Sequence, residues 1–75
     1  KYVVFDGYRG EKIVVFPTIV QHARLASSVE QNGFGSLSPI SGGFIENGEC
    51  VGESISLRLK SRPVEDTALL KELME

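Results

Sequence analysis

The sequence predicts an α+β domain in the order β-β-α-β-β-α, a four-stranded antiparallel sheet with helices packed on one face. Three observations carry this expectation. Two β-branched runs, YVVF at Tyr2 to Phe5 and IVVF at Ile13 to Phe16, flank a turn-rich stretch. Asn47-Gly48 stands between FIE and ECV, a strong short hairpin signal because both central positions of a type I′ turn need positive φ. Two further segments, after Pro17 and after Ser61, carry apolar residues at helical spacing.

The elements follow in order. β-branched and aromatic residues favour strands for the first two runs, and Asp6-Gly7 and Gly10 supply the turn of a hairpin between them. Neither run alternates with polar residues, so both are expected to be buried on both faces, inside the domain or against a second copy. Thr18 stands three residues before Gln21, the spacing of a capping box. His22, Leu25, Ala26 and Val29 then share one face, and Gly33 follows Asn32 as a stop, which places a helix over 18–31. GFGSLSPISGG at 33–43 reads either as a loop with Phe34 as anchor or as an irregular, bulged strand.

The Asn47-Gly48 turn sets a register. Phe44 faces Val51, Ile40 faces Ile55 and Ser38 faces Leu57 on a largely apolar side. Ile45 faces Cys50, Gly43 faces Gly52, Ser41 faces Ser54 and Leu37 faces Arg58 on a smaller, more polar one. In GESISLRLKSRP at 52–63, Ile55, Leu57 and Leu59 are then expected inside, and Ser54, Ser56, Arg58 and Lys60 outside. Ser61 is the expected cap of the last helix. Pro63, Glu65 and Asp66 fill its first turn, and Ala68, Leu69, Leu70, Leu73 and Met74 form its apolar stripe.

The 75 residues make a single domain, 1–75, that buries only about 60% of its unfolded surface, so the core is thin. With 41% hydrophobic and 24% charged residues, nothing in the composition suggests disorder. A net charge of -2 argues against nucleic acid as the main partner. One cysteine and one histidine give neither a disulfide nor a cysteine-based zinc site, and point to a reducing cytoplasm. No apolar run is long enough to span a bilayer, and no signal peptide is expected.

Ser54, Ser56, Arg58, Lys60 and Arg62 are the candidate binding residues. Three cations within five positions, near a helix start, could hold an anion, a phosphate backbone or an acidic protein. The ordinary reading is a solvated strand face, with Lys guarding an edge. Glu46 and Glu49 flank the exposed hairpin tip, where solvation is the expectation. Glu53 is expected opposite Gly42, on the apolar side, either at its rim or paired with an arginine such as Arg24. An enzyme resting on His22, Cys50 and Glu53 is the remaining reading, but no nucleophile elbow, phosphate loop or metal spacing supports it.

Phe16, His22, Gly43-Phe44, Cys50, Gly52-Glu53-Ser54, Ser56-Leu57 and Ser61-Arg62-Pro63 together resemble small uncharacterised proteins of tailed bacteriophages and prophages. Those end in a GESxSL…SRPxD-type segment followed by a short helix. The resemblance implies an accessory protein in the cytoplasm of a bacterial host, with no assigned chemistry. The expectation is therefore binding, without a cofactor, to a protein of the host or phage. Self-association as a homodimer is expected as well, because a thin core gains from a symmetric interface. Nucleic-acid binding through Arg58, Lys60 and Arg62 is the alternative.

Overall fold

A computed structural model describes residues 1–7, 10–31 and 37–74. The expected Gly33 helix stop and the Phe34 anchor lie outside the described residues. The elements are β1 (Tyr2–Gly7), β2 (Gly10–Val15), α1 (His22–Gln31), β3 (Ser38–Glu46), β4 (Glu49–Val51), β5 (Glu53–Ser54), β6 (Leu59–Lys60) and α2 (Pro63–Met74). The fold is α+β, and its antiparallel sheet runs β2-β1-β3-β4, with β5-β6 as a separate two-stranded ladder.

β1 is the centre of the core. Tyr2, Val3, Val4 and Phe5 are each at most 1% exposed. Side chains alternate across a strand, so the run divides between two clusters. Tyr2 and Val4 pack with Cys50 and Leu70, backed by Ile13, Ile40, Ile45 and Leu69. Val3 and Phe5 pack with Phe16, backed among others by Leu25, Ala26, Val29 and Leu57. The first cluster draws on α2 and the second on α1.

The two helices therefore cover opposite faces of the sheet, not one face as expected. The physical reason lies in YVVF itself: a strand without polar alternation needs a cover on each side. The same reading fails for β2. Glu11, Lys12 and Val15 are exposed there, and β2 is an edge strand.

The Asn47-Gly48 hairpin forms as expected, with φ of 52° and 79° at its two central residues. Phe44 pairs with Val51, Ile45 with Cys50 and Glu46 with Glu49. The ladder then stops. Gly52 takes a φ of 77°, and the chain turns into its own small hairpin in which Glu53 pairs with Lys60 and Ser54 with Leu59. Residues 55–58 are the turn, closed by the Arg58 N–H on the Ile55 carbonyl (3.2 Å), with Arg58 itself at φ 58°.

The expected pairings beyond Val51 are thus replaced, and the inside–outside assignment changes with them. Ser54 is fully buried and Ile55 is 85% exposed. Leu57 and Leu59 are half-buried, while Ser56, Arg58 and Lys60 are exposed. On the β3–β4 hairpin the faces are also exchanged. Cys50 is wholly buried in the α2-side core, and Phe44 stands on the α1 side, partly exposed.

Residues 38–43, open between loop and bulged strand in the sequence, belong to β3. Its register against β1 shifts between Val4 and Phe5, and the extra residue, Ile40, reaches the same core as Ile45. At Gly43 a Cβ would collide with the Val51 carbonyl oxygen, so glycine permits the close approach of β3 and β4.

α1 begins at His22 rather than Thr18. Pro17 first makes a turn that the Val20 N–H closes at 3.1 Å, and the Gln21 carbonyl accepts the first helical bond, from Leu25 at 3.0 Å. α2 begins at Pro63, with the Arg62 carbonyl accepting from Asp66 at 2.8 Å, so Arg62 and not Ser61 is the capping position. The Ser61 N–H instead donates to the Gly52 carbonyl (2.9 Å) and pins β6 to the start of β5.

Ser41 pairs with Val4, and its hydroxyl oxygen is buried without a hydrogen-bond partner among the described residues. A buried unsatisfied hydroxyl costs about 1–3 kcal/mol. Ser41→Ala is therefore expected to stabilise the domain by about 1 kcal/mol, read as a higher urea midpoint. A lower midpoint would show that the hydroxyl holds something in place.

Candidate functional site

The five residues singled out in the sequence do not form one surface. Ser54 is buried, and its Oγ accepts the Leu57 N–H at 3.3 Å, which shapes the 55–58 turn. Ser56 is exposed, and its Oγ accepts the Ala23 N–H at 3.2 Å. Ala23 is in the first turn of α1, so a residue 33 positions away satisfies one of its free amides. Arg58 and Lys60 are exposed on the small hairpin.

Arg62 is committed elsewhere. Its Nη1 and Nη2 donate to the two carboxylate oxygens of Glu11 at 3.3 and 2.8 Å. Its Nε donates to Asp66 Oδ1 at 3.0 Å, with Nη2 2.8 Å from the same oxygen. The pairing holds the Arg62 guanidinium well above its ordinary pKa and pulls the Glu11 carboxyl below its own.

Asp66 joins this network from inside. It is fully buried, and its Oδ2 accepts the Tyr2 hydroxyl at 2.6 Å and the Arg62 N–H at 2.9 Å. Burial, and then the neighbouring carboxylate, hold the Tyr2 hydroxyl far above its usual range. The arrangement ties β1, β2 and the start of α2 together. Every one of these bonds is made between parts of the fold itself, so the arrangement is a latch.

The other distinct environment lies on the α1 side. His22 is nearly buried at 4% exposure, between Phe16 and Phe44. Both contacts are edge-to-face, with centroids 5.4 and 5.7 Å away and interplanar angles of 87° and 88°. His22 Nε2 is 2.9 Å from the Gly43 carbonyl oxygen, so it carries the proton and donates. Burial, reinforced by the Lys1 charge, lowers the imidazole pKa despite that hydrogen bond, so the ring is neutral at pH 7.

Above this ring is an open pocket of about 290 Å³. His22 forms its floor, Phe44 and Ile55 its apolar walls, and Lys1, Gln21, Glu53 and Ser56 its polar rim. Gln21 is shared with a neighbouring hollow lined by Ile19, Val20 and Arg24. Ile19 is 91% exposed and Ile55 85%, so two large apolar side chains and the edge of Phe44 border adjoining hollows.

The enzyme trio does not assemble. His22 and Glu53 share the pocket, but Cys50 lies in the core on the opposite face of the sheet. Burial pushes its thiol pKa up, which suppresses the nucleophilic thiolate. Glu53 is exposed and stands across from Lys60, where Gly42 was expected, while Glu46 and Glu49 are exposed as expected. Among the described residues no group of three His, Cys, Asp or Glu side chains is placed to hold a metal ion.

Sequence reasoning missed Phe44, Ile55 and Ile19 as surface residues and Asp66 as the buried hub. The spacing of Arg62 and Asp66 at i and i+4 was the available signal for the latter. No helix among the described residues is long and apolar enough to cross a membrane. Compared with protein-family models, curated proteins and solved structures, the chain has no match.

Proposed function

We propose that this domain is a protein-binding module that takes an apolar side chain of its partner into the pocket over His22. The observation that carries the reading is the pairing of Phe44 and Ile55, exposed around a concave, largely apolar site with a polar rim. Apolar anchors in a pocket ringed by polar groups are the usual form of a binding hot spot. The resemblance of the GESxSL and SRP segments to phage and prophage proteins supplies the context, an accessory protein in a bacterial host cell with a host or phage protein as partner.

Nucleic acid is the weaker alternative. Arg62 is already neutralised by two carboxylates, which leaves Arg58 and Lys60 exposed on this hairpin. Two phosphate contacts give a salt slope of only about -1.8.

Capture from a bacterial lysate tests the proposal. The double variant Phe44→Ser, Ile55→Ser is expected to lose the proteins that the wild-type domain retains. Val64→Ser, which removes an equally exposed apolar residue on α2, is expected to keep them. The same proteins captured by all three would overturn the pocket reading.

A further inference from the structure

The outer edge of β2 has a defined chemistry. Lys1 and Phe16 exchange both backbone hydrogen bonds, at 3.0 and 3.2 Å. Antiparallel pairs alternate between bonded and non-bonded. Val14 and Lys12, opposite Val3 and Phe5, therefore turn their backbone groups toward β1. The N–H and C=O groups of Glu11, Ile13 and Val15 point away from it, to an edge on which no described strand pairs.

Both halves of this edge carry information. Glu11 and Lys12 are charged, which ordinarily guards an edge against pairing. Ile13, Val14 and Val15 are not guarded, and Val15 is 47% exposed. Beside Ile13, on the α2 face, is a hollow of about 200 Å³ lined also by Leu69 and Leu73 and, at charged positions, by Glu11, Lys12 and Glu72.

From these observations we propose that a second copy of this chain pairs with β2 along this edge, antiparallel, about a twofold axis through Val14. This register sets Ile13 opposite Val15 of the other copy and Val14 opposite its own equivalent. Lys12 falls opposite Phe16. About four backbone hydrogen bonds join the strands, and the sheet continues from one copy into the next. Each Val15 lands beside the other copy's Ile13, over the hollow bordered by Leu69 and Leu73.

Registers shifted toward Glu11 are worse for a stated reason. An axis through Lys12 sets two lysines directly opposite each other, which is destabilising. An axis through Ile13 sets Val15 against Glu11, whose carboxylate is engaged by Arg62. The inference rests on the reading that this domain works by protein contact, and it names the partner at a surface separate from the pocket.

Light scattering across micromolar concentrations and amide hydrogen exchange test it together. The wild-type mass is expected to rise from 8.2 kDa toward twice that value. Over the same range the Ile13 and Val15 amides should become protected, because each gains a bond in the dimer. Val15→Lys, at a half-exposed site that tolerates a polar side chain, is expected to weaken the dimer about tenfold or more, since the twofold repeats each lost pair.

A wild-type monomer at every concentration would overturn the proposal, and so would a dimer indifferent to Val15→Lys with Ile13 and Val15 unprotected. The Phe44→Ser, Ile55→Ser variant is expected to dimerise normally, and Val15→Lys to retain lysate capture. Failure of the pocket and failure of the strand edge are thereby told apart.

Discussion

Asp66→Ala is expected to remove about 3–5 kcal/mol of stability, because the buried carboxylate accepts three hydrogen bonds and each buried partner left unsatisfied costs about 1–3 kcal/mol. A chain of this length has about 4–11 kcal/mol in total, so the variant sits at or near the point of unfolding. The size follows from what is orphaned. The Tyr2 hydroxyl and the Arg62 N–H lose their acceptor, and the guanidinium keeps only Glu11. Tyr2→Phe is expected to cost less, about 1.5–3 kcal/mol, because Arg62 still satisfies the carboxylate.

Cys50 offers the readout. It is the one cysteine of the chain and is wholly buried, so a thiol reagent reaches it only when the structure opens. Native-state labelling is expected to accelerate about 10²- to 4 × 10³-fold in Asp66→Ala. Labelling at the wild-type rate would show that the latch contributes little.

The second large effect is at His22. His22→Ala removes two edge-to-face aromatic contacts and the side-chain hydrogen bond to the buried Gly43 carbonyl. Each contact is worth about 0.5–1.5 kcal/mol and the hydrogen bond about as much, so a loss of about 3 kcal/mol is expected. His22→Gln, which can still donate to Gly43, should recover part of it.

The same residue gives a pH dependence of defined sign. Its folded pKa lies below the unfolded value of 6.5. Above pH 6.5 both states are neutral and the native contacts are kept in full. As the pH falls through that value the unfolded chain takes up the proton first, so stability declines. Glu11 adds a separate loss below its ordinary 4.5, where its bond to Arg62 is given up on protonation. Urea midpoints compared across mildly acidic and neutral pH should fall for the wild type and stay flatter for His22→Gln. An equal slope in both would remove His22 as the cause.

What could be read from the sequence was local. Asn47 and Gly48 have the positive φ values their identities imply, and YVVF is buried on both faces as its lack of alternation implies. That second fact already demanded a helix on each side of the sheet, a consequence that the one-face expectation contradicted. The alternation from Ser54 to Lys60 misled for a physical reason. A tight turn can carry the same polar and apolar pattern as a strand. Gly52 at positive φ and the Ser54 hydroxyl, not the pattern, decide which one forms.

The candidate site was less legible because its parts meet across the chain. His22 reaches Gly43, Ser56 reaches the start of α1, and Tyr2 reaches Asp66, 64 positions away. Nothing local marks Phe44 as a surface residue. Its exposure follows from which face of β3 turns toward His22, and that is fixed only once β1 has taken the core positions.

Photo-crosslinking in a bacterial lysate tests the central claim most directly, with a benzophenone side chain placed at position 55 or at position 64. The two native residues are almost equally exposed, Ile55 at 85% and Val64 at 79%, so exposure alone does not separate them. A discrete protein adduct from position 55 and none from position 64 is the predicted result. Adducts from position 64 with none from position 55 would contradict a binding surface at the His22 pocket.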